Sequence, residues 1–323
     1  MVSKIVRRTQ IMVKTVIQTL QRLLALLTVT GALTQGAGAL TPAELPPLEP
    51  SAAVAEAQFP HYAALLPEAS RFEGDSYIGD NALILLEHHN RKDGALSSAY
   101  TYAEIYLPDV HCLRTWYMDD PADDLAGIAD IRTASRVVQA AYAVNGDFYS
   151  LQGVNAVRNG TVINSCISKY DLCVLYEDGS MKTYSPDDLP TQDLVDAALS
   201  GAWQAWSFGP LLLTGEGEAI PDFSGRTIEY LTRLHPRTAI GYFGPGHYCI
   251  VSITGYQNGS PGVSLEELSA FFASLGCRQA YNLDGGGSTH VWYHGHEIGH
   301  PSEARALSDL IYIADTAGEG SAR

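Results

Sequence analysis

Apolar positions in this chain fall into short runs broken by turn residues, with only a few stretches at helical spacing. Residues 81–87 (NALILLE) and 100–107 (YTYAEIYL) are apolar or alternating and predict strands. Residues 173–184 (CVLYEDGSMKTY) predict a hairpin turning near Asp178-Gly179. Leu125, Ile128, Ile131, Val137 and Val138 place a helix within 123–143, followed by a strand at 141–144. Residues 191–199 predict a second helix. The clearest helix is 264–275 (SLEELSAFFASL): Ser264 offers a capping oxygen, Glu267 stands three residues on as in a capping box, and Gly276 ends it. Residues 281–283 then read as a strand. Strands and helices interleave without strict alternation or internal repeat. This predicts an α+β protein, a mixed sheet core with flanking helices in one domain.

Composition narrows the class. The chain has 323 residues with 46% hydrophobic and 17% charged, which suits a packed globular protein. Its 36 acids against 20 bases give a net charge of −16, which argues against nucleic acid as a partner. The first 39 residues differ: they hold Lys4, Arg7, Arg8, Lys14 and Arg22 and no acid. An apolar run at 23–33 and Ala37-Gly38-Ala39 follow, the pattern of a secretory signal peptide. The run is short of the roughly 20 residues a spanning helix needs. The same segment retained uncleaved would anchor the chain to a membrane; either way the protein is expected outside the cytoplasm. Residues 40–76 are an Ala- and Pro-rich arm or linker, 77–316 the folded domain, and 317–323 a tail.

An exported protein can form disulfides. The five cysteines are Cys112, Cys166, Cys173, Cys249 and Cys277; Cys166 and Cys173 are the preferred pair, and Cys249 and Cys277 read as buried thiols. No Cys/His spacing suggests zinc.

Four polar clusters share one grammar, a short apolar run meeting Gly, Asn, Asp, Ser or Arg. They are Asn145-Gly146-Asp147-Phe148-Tyr149, Ser207-Phe208-Gly209-Pro210, His235-Pro236-Arg237-Thr238 and the segment 282–289 (NLDGGGST). Polar groups at strand ends can converge on a crevice. The last cluster is the most informative. Three consecutive glycines cost backbone entropy and serve where the chain takes positive φ or something approaches the backbone closely. Asp284 before them, and Ser288 and Thr289 after them, add a carboxylate and two hydroxyls. Loop amides of this kind can form an anion nest. Asn282 and Asp284 alternate and so face one side of an extended strand. Arg237 offers a guanidinium suited to phosphate or carboxylate, though alone it could equally pair with one of the acids. Asn145-Gly146 alone is an ordinary turn dipeptide. Ser207 lacks the G-x-S-x-G setting of a nucleophile and is assigned binding.

Taken together and in order, NGDFY, SFGPLL, HPRTAIG, the SLEEL helix and AYNLDGGGST resemble the phosphodiester glycosidase family over roughly residues 77–315. That family is typified by the enzyme that uncovers mannose 6-phosphate by removing N-acetylglucosamine. The chain looks most similar to bacterial members associated with exopolysaccharide. The resemblance implies a mixed α/β catalytic domain acting on a sugar-1-phosphodiester. By position it implies site roles for Asn145, Asp147, Arg237, Thr238, Asn282, Asp284, Gly285, Gly286 and Ser288, and for Arg305 near the C-terminus. This chain departs from the family in reading EAR where ER is usual, His235 where Asn is expected, and Gly255-Tyr256-Gln257 where GRQ is frequent.

A phosphate leaving group needs little protonation. The expected site therefore combines anion stabilisation by Arg237 and the loop amides with a carboxylate near C1, Asp284 first and Asp147 second. Ser207, Gly209 and Thr289 complete the expected binding set. No cofactor is required by this chemistry, while the oxygen-rich donors also suit Ca²⁺ or Mg²⁺. Two other readings share the fold: a non-catalytic glycan- or phosphate-binding module, and a phosphodiesterase cleaving P–O.

Overall fold

Short apolar runs joined by tight turns pair most readily as antiparallel neighbours, because parallel pairing needs a long crossover. The computed structural model describes residues 70–316 except 93, 118–128, 149–152, 226–232, 258 and 300. Its first part contains β1 (Arg71–Glu73), β2 (Ser76–Ile78), β3 (Leu83–His89), β4 (Tyr100–Tyr106), β5 (Arg114–Tyr117), helix α1 (Ile131–Val137) and β6 (Ala140–Asn145). Next come β7 (Ala156–Arg158), β8 (Thr161–Asn164), β9 (Leu172–Tyr176), β10 (Met181–Tyr184), α2 (Gln192–Leu199) and β11 (Ala202–Trp206). The last part holds β12 (Arg237–Gly244), β13 (His247–Ile253), α3 (Leu265–Leu275), β14 (Gln279–Asn282), β15 (Val291–Tyr293), β16 (His296–Ile298) and β17 (Asp309–Ala314).

These strands build three sheets among the described residues. The first runs β1-β2-β3-β4-β13-β12-β14, the second β10-β9-β11-β7-β8 and the third β16-β15-β6-β17-β5. Every strand pair within them is antiparallel. The fold is α+β but dominated by sheet, and the expected single mixed sheet is corrected to three antiparallel ones. The helices do not act as crossovers; each covers one face of a sheet. Leu268 and Phe272 of α3 pack on Ala239, Phe243 and Val251 of the first sheet. Val195 and Leu199 of α2 pack on Leu172 and Val174 of the second, and Ile131 and Ala134 of α1 on Ala143 and Leu310 of the third. The main core lies where sheets face each other. Ile84, Ile105, Ile240 and Ile250 of the first meet Tyr142, Val144, Ile311 and Ile313 of the third, joined by Cys173, Leu175 and Trp206 of the second. Strands β4, β12 and β13 are buried on both faces, which explains why they read as near-continuous apolar runs.

Local signals translate well. Thr191 caps α2 by accepting from the Leu194 amide, and Ser264 caps α3 by accepting from the Glu267 amide at 3.2 Å. Gly276 ends α3 in the left-handed region at φ 83°. The capping box is only half made: the Glu267 carboxylate turns instead to the Ser97 amide and hydroxyl, at 2.5 and 2.8 Å. The hairpin at Asp178-Gly179 is present as β9 and β10. Within the span 123–143 expected to hold a helix, the described residues form a helix only at 131–137 and are strand from 140; Leu125 and Ile128 lie outside the described residues, as do the N-terminal segment and the tail. Residues 71–76, assigned above to the arm, belong to the first sheet. The Cys166–Cys173 pair is absent, and all five cysteines are free. Cys173 faces the core, whereas Cys166 sits in a loop with its thiol toward the Val154 carbonyl. Cys249 and Cys277 are buried thiols with sulfurs 4.0 Å apart.

Candidate active site

Strand ends from all three sheets meet at one place. Asn145 closes β6 and Asp309 opens β17 in the third sheet; Arg158 closes β7 and Ser207 follows β11 in the second; Thr238 in β12 and Asn282 closing β14 belong to the first. Asp147 and Asp284 each lie two residues beyond a strand. They line, with Asn145, Ser288 and residues 306–309, a narrow cleft closed tightly enough to leave no water-sized space.

Asn145 is the clamp of this junction. Its Oδ1 accepts from the Thr238 hydroxyl at 2.6 Å, and its Nδ2 donates to the Asp284 carbonyl at 2.7 Å. The Asp284 amide in turn donates to the Gly146 carbonyl at 3.2 Å. The two carboxyl-bearing segments are thereby fixed to each other.

Asp147 is buried, 5% exposed. Its Oδ2 accepts from the Ser207 amide at 2.8 Å, while Oδ1 has no hydrogen-bond partner. Arg158 Nη2 stands 3.6 Å from that carboxyl but is committed to Asp309: Nη2 donates to its Oδ2 at 2.8 Å and Nε to its Oδ1 at 3.3 Å. Asp309 Oδ2 also accepts the Asp147 amide at 2.9 Å. Gly146 makes this approach feasible, since a Cβ there would sit 2.5 Å from Asp309 Oδ2. Burial pushes Asp147 up to about 7; Arg158 opposes the rise and the charge of Asp309 adds to it. Asp284 is also raised by burial, against the pull of hydrogen bonds from Ser288 and the Gly285 amide and of the Arg305 charge.

The glycine loop is a close-packed turn. Gly285 donates to Asp284 Oδ1 at 2.8 Å and Gly286 to the Pro236 carbonyl at 2.9 Å. Ser288 and Thr289 donate to the carbonyls of Gly285 and Gly286. Four amides of the expected anion nest are thus already used inside the protein. What the glycines supply is proximity: a Cβ on Gly285 would lie 2.5 Å from the Pro236 carbonyl oxygen. His290 pins the turn from beneath, with Nε2 3.1 Å from the Gly287 carbonyl oxygen and Nδ1 2.5 Å from Glu297.

The other expected residues divide. Asn282 donates to the Gly209 carbonyl at 2.8 Å and its Oδ1 has no partner, as is true of the Thr289 hydroxyl. Gly209 takes φ 75° in a loop whose Phe208 amide rests on the Tyr281 hydroxyl. The Ser207 hydroxyl donates to the Asp171 carbonyl at 3.3 Å. Thr238 faces Asn145, so its strand neighbour Arg237 points the other way: Arg237 is buried and donates to the carbonyls of Val263 and Arg233, at 3.2 and 2.9 Å. It does not line the cleft, and burial lowers its guanidinium to about 10. Arg305 stands at the mouth, exposed, with Nη2 2.5 Å from Glu303 and Nη1 3.5 Å from the Ser288 hydroxyl. Tyr149 lies outside the described residues.

Sequence reasoning missed Arg158 and Asp309. The one available signal was a charged residue inside each of two otherwise apolar strands, AVR and DLIYIA. Among the described residues no group of three or more His, Cys, Asp or Glu is placed to hold a metal ion.

With this geometry in view, the chain was compared with known proteins. The family model for phosphodiester glycosidase matches residues 138–314. An SPbeta prophage-derived uncharacterized protein of Bacillus subtilis, YomE, is 27% identical over 190 residues, 57% of this chain and 28% of that protein. The catalytic domain of zebrafish N-acetylglucosamine-1-phosphodiester alpha-N-acetylglucosaminidase, solved as auto-inhibited by its pro-peptide, superposes with a TM-score of 0.54 at 18% identity, covering 72% of this chain and 82% of that one. A hypothetical protein from Synechocystis gives 0.54 at 15%, covering 72% and 62%. At such identities these two structures establish a shared fold.

Proposed function

Because the chain belongs to the phosphodiester glycosidase family, a group of glycosidase-type hydrolases, we propose that it is an exported hydrolase cleaving the C–O bond between a sugar and the phosphate of a sugar-1-phosphodiester. The observation that carries this reading is the pairing in one cleft of two buried carboxyls with different surroundings. Burial raises both carboxyls, but Asp284 receives the Gly285 amide and Ser288, donors that work against the rise. Asp147 has one oxygen without a partner and a pKa of about 7, suited to exchanging a proton near neutrality.

In this scheme the anomeric carbon sits between them and Asp284 stabilises its developing positive charge. Water attacks that carbon, its proton passes to Asp147, and the C–O pair departs with the phosphate monoester. Arg305, at the mouth, meets the phosphate; Arg237 remains behind the loop as a structural cation. The basic and apolar N-terminal segment supports action on cell-envelope or exopolysaccharide material.

Turnover of a nitrophenyl sugar phosphodiester in ¹⁸O-labelled water tests the proposal. Label in the sugar is the expected result. Label in the phosphate identifies a P–O phosphodiesterase, and no turnover across a panel of sugars identifies a binding module; either outcome overturns the reading.

A further inference from the structure

The cleft holds a buried charge imbalance that the catalytic scheme does not by itself explain. Asp147, Arg158 and Asp309 are 5, 5 and 2% exposed, two acids around one base. With both acids ionised, the trio would bury a net negative charge, which a poorly solvated interior resists. One proton resolves the imbalance, and the hydrogen bonds decide where it sits.

Four of the five N–H donors of Arg158 are committed, and the fifth, on Nη2, reaches Asp147 only at ion-pair distance. Nη1 serves the Val157 and Ala205 carbonyls, Nε serves Asp309 Oδ1, and Nη2 serves Asp309 Oδ2 at 2.8 Å while lying 3.6 Å from Asp147. A forked guanidinium on a carboxylate is a strong arrangement. Asp309 takes that fork and the Asp147 amide as well, so both its oxygens are met by donors. Asp147 is left with neutral backbone donors, the Ser207 amide at 2.8 Å and a weaker pull from the Phe148 amide. The other titratable groups facing it are Cys173 on β9 and Tyr281 on β14, both held neutral by burial, and Asp284 on the opposite segment of the cleft. None of these competes for Arg158.

We infer that Asp309 is a positioning residue for the reaction: by capturing Arg158 it makes Asp147 the proton-bearing carboxyl of the cleft. The inference rests on the role given to Asp147 above, yet the proton's location is measurable without substrate. Removing the charge of Asp309 frees Arg158 for its one remaining anion, and Asp147 should then ionise at lower pH. As the base in the proposed scheme, Asp147 must be unprotonated to act, so the acid limb of the rate profile should move down with it.

The experiment is a pH titration of the full chain followed by the infrared carbonyl band of a protonated carboxylic acid, assigned to Asp147 by its loss in Asp147→Asn. Wild type should keep this band to near neutrality, whereas Asp309→Asn should lose it about 1–3 pH units lower. An unchanged titration in a folded Asp309→Asn protein overturns the inference. So does the absence of any Asp147 band in wild type at pH 6, a result that needs no variant of Asp309 to fold. Where turnover is present, the acid limb of kcat/KM should move by the same interval, which a purely structural role would not produce. A shifted band with no turnover on any sugar phosphodiester would refute the glycosidase reading while leaving this one standing.

Discussion

The inner wall and the rim of the cleft are built on different terms. On the inner wall, Asn145, Asp147, Arg158 and Asp309 are almost wholly buried and tied by bonds between 2.6 and 3.3 Å. On the rim, residues 301–306 have no regular structure, Glu303 and Arg305 are exposed, and contacts to the glycine turn from Ser302 and Arg305 stretch to 3.4 and 3.5 Å. The wall fixes where carboxyls stand and what they cost to charge. The rim carries the exposed charges and is the wall of the cleft with least to lose by moving. Under the proposed function, chemistry should depend on the wall and selectivity on the rim, and substitutions should sort accordingly.

The sharpest break is expected at Asp284. Asp284→Asn should lower kcat by about 10²–10⁴-fold with the melting temperature within a few degrees of wild type. A wild-type rate in that variant would remove Asp284 from the mechanism. The next effect is on stability. Asp147 is raised in the folded state to about 7 from an ordinary 3.8, so its contribution to stability is fully present below about 4 and is lost as pH climbs through 7. Between those values the loss approaches about 1.4 kcal/mol per pH unit. Asp147→Asn should flatten this slope, seen as a smaller fall in melting temperature between pH 5 and 8; equal slopes would mean the wall does not resist charging. The smallest effect belongs to the rim. Arg305→Ala should raise KM about tenfold, as for loss of a hydrogen bond to a charged group, with kcat little changed and stability altered by less than about 0.5 kcal/mol. A kcat loss as large as that of Asp284→Asn would erase the distinction between wall and rim.

Much of this arrangement was legible in the chain. Asp147 and Asp284 stood out because each follows a strand in a glycine context, and the cap at Ser264 was readable because capping is decided within four residues. The sheet count was not readable, since pairing partners lie far apart in sequence. Arg158 and Asp309 were hidden for the same reason: they are 151 residues apart, and each alone looks like a stray charge in a strand. Arg237 shows a different limit. Thr238 and Arg237 were both assigned to the site, although side chains alternate along a strand and only one of them could face it. The glycine turn was recognised as special, but its reason is packing against Pro236, which no local pattern encodes.

The Asn145 clamp also bears on how the cleft comes to exist. It joins Thr238, 93 residues away, to Asp284, 139 residues away, across the boundary between two sheets. Closing such long loops is slow compared with forming hairpins or helices. The sheets close loops as long, since Leu310 pairs with Asn145 and Asp309 with Tyr117, so only the hairpins and helices can precede the cleft, and the third sheet forms with it. In refolding, helix and hairpin signals should recover first, and the pairing of the third sheet should recover together with the cleft.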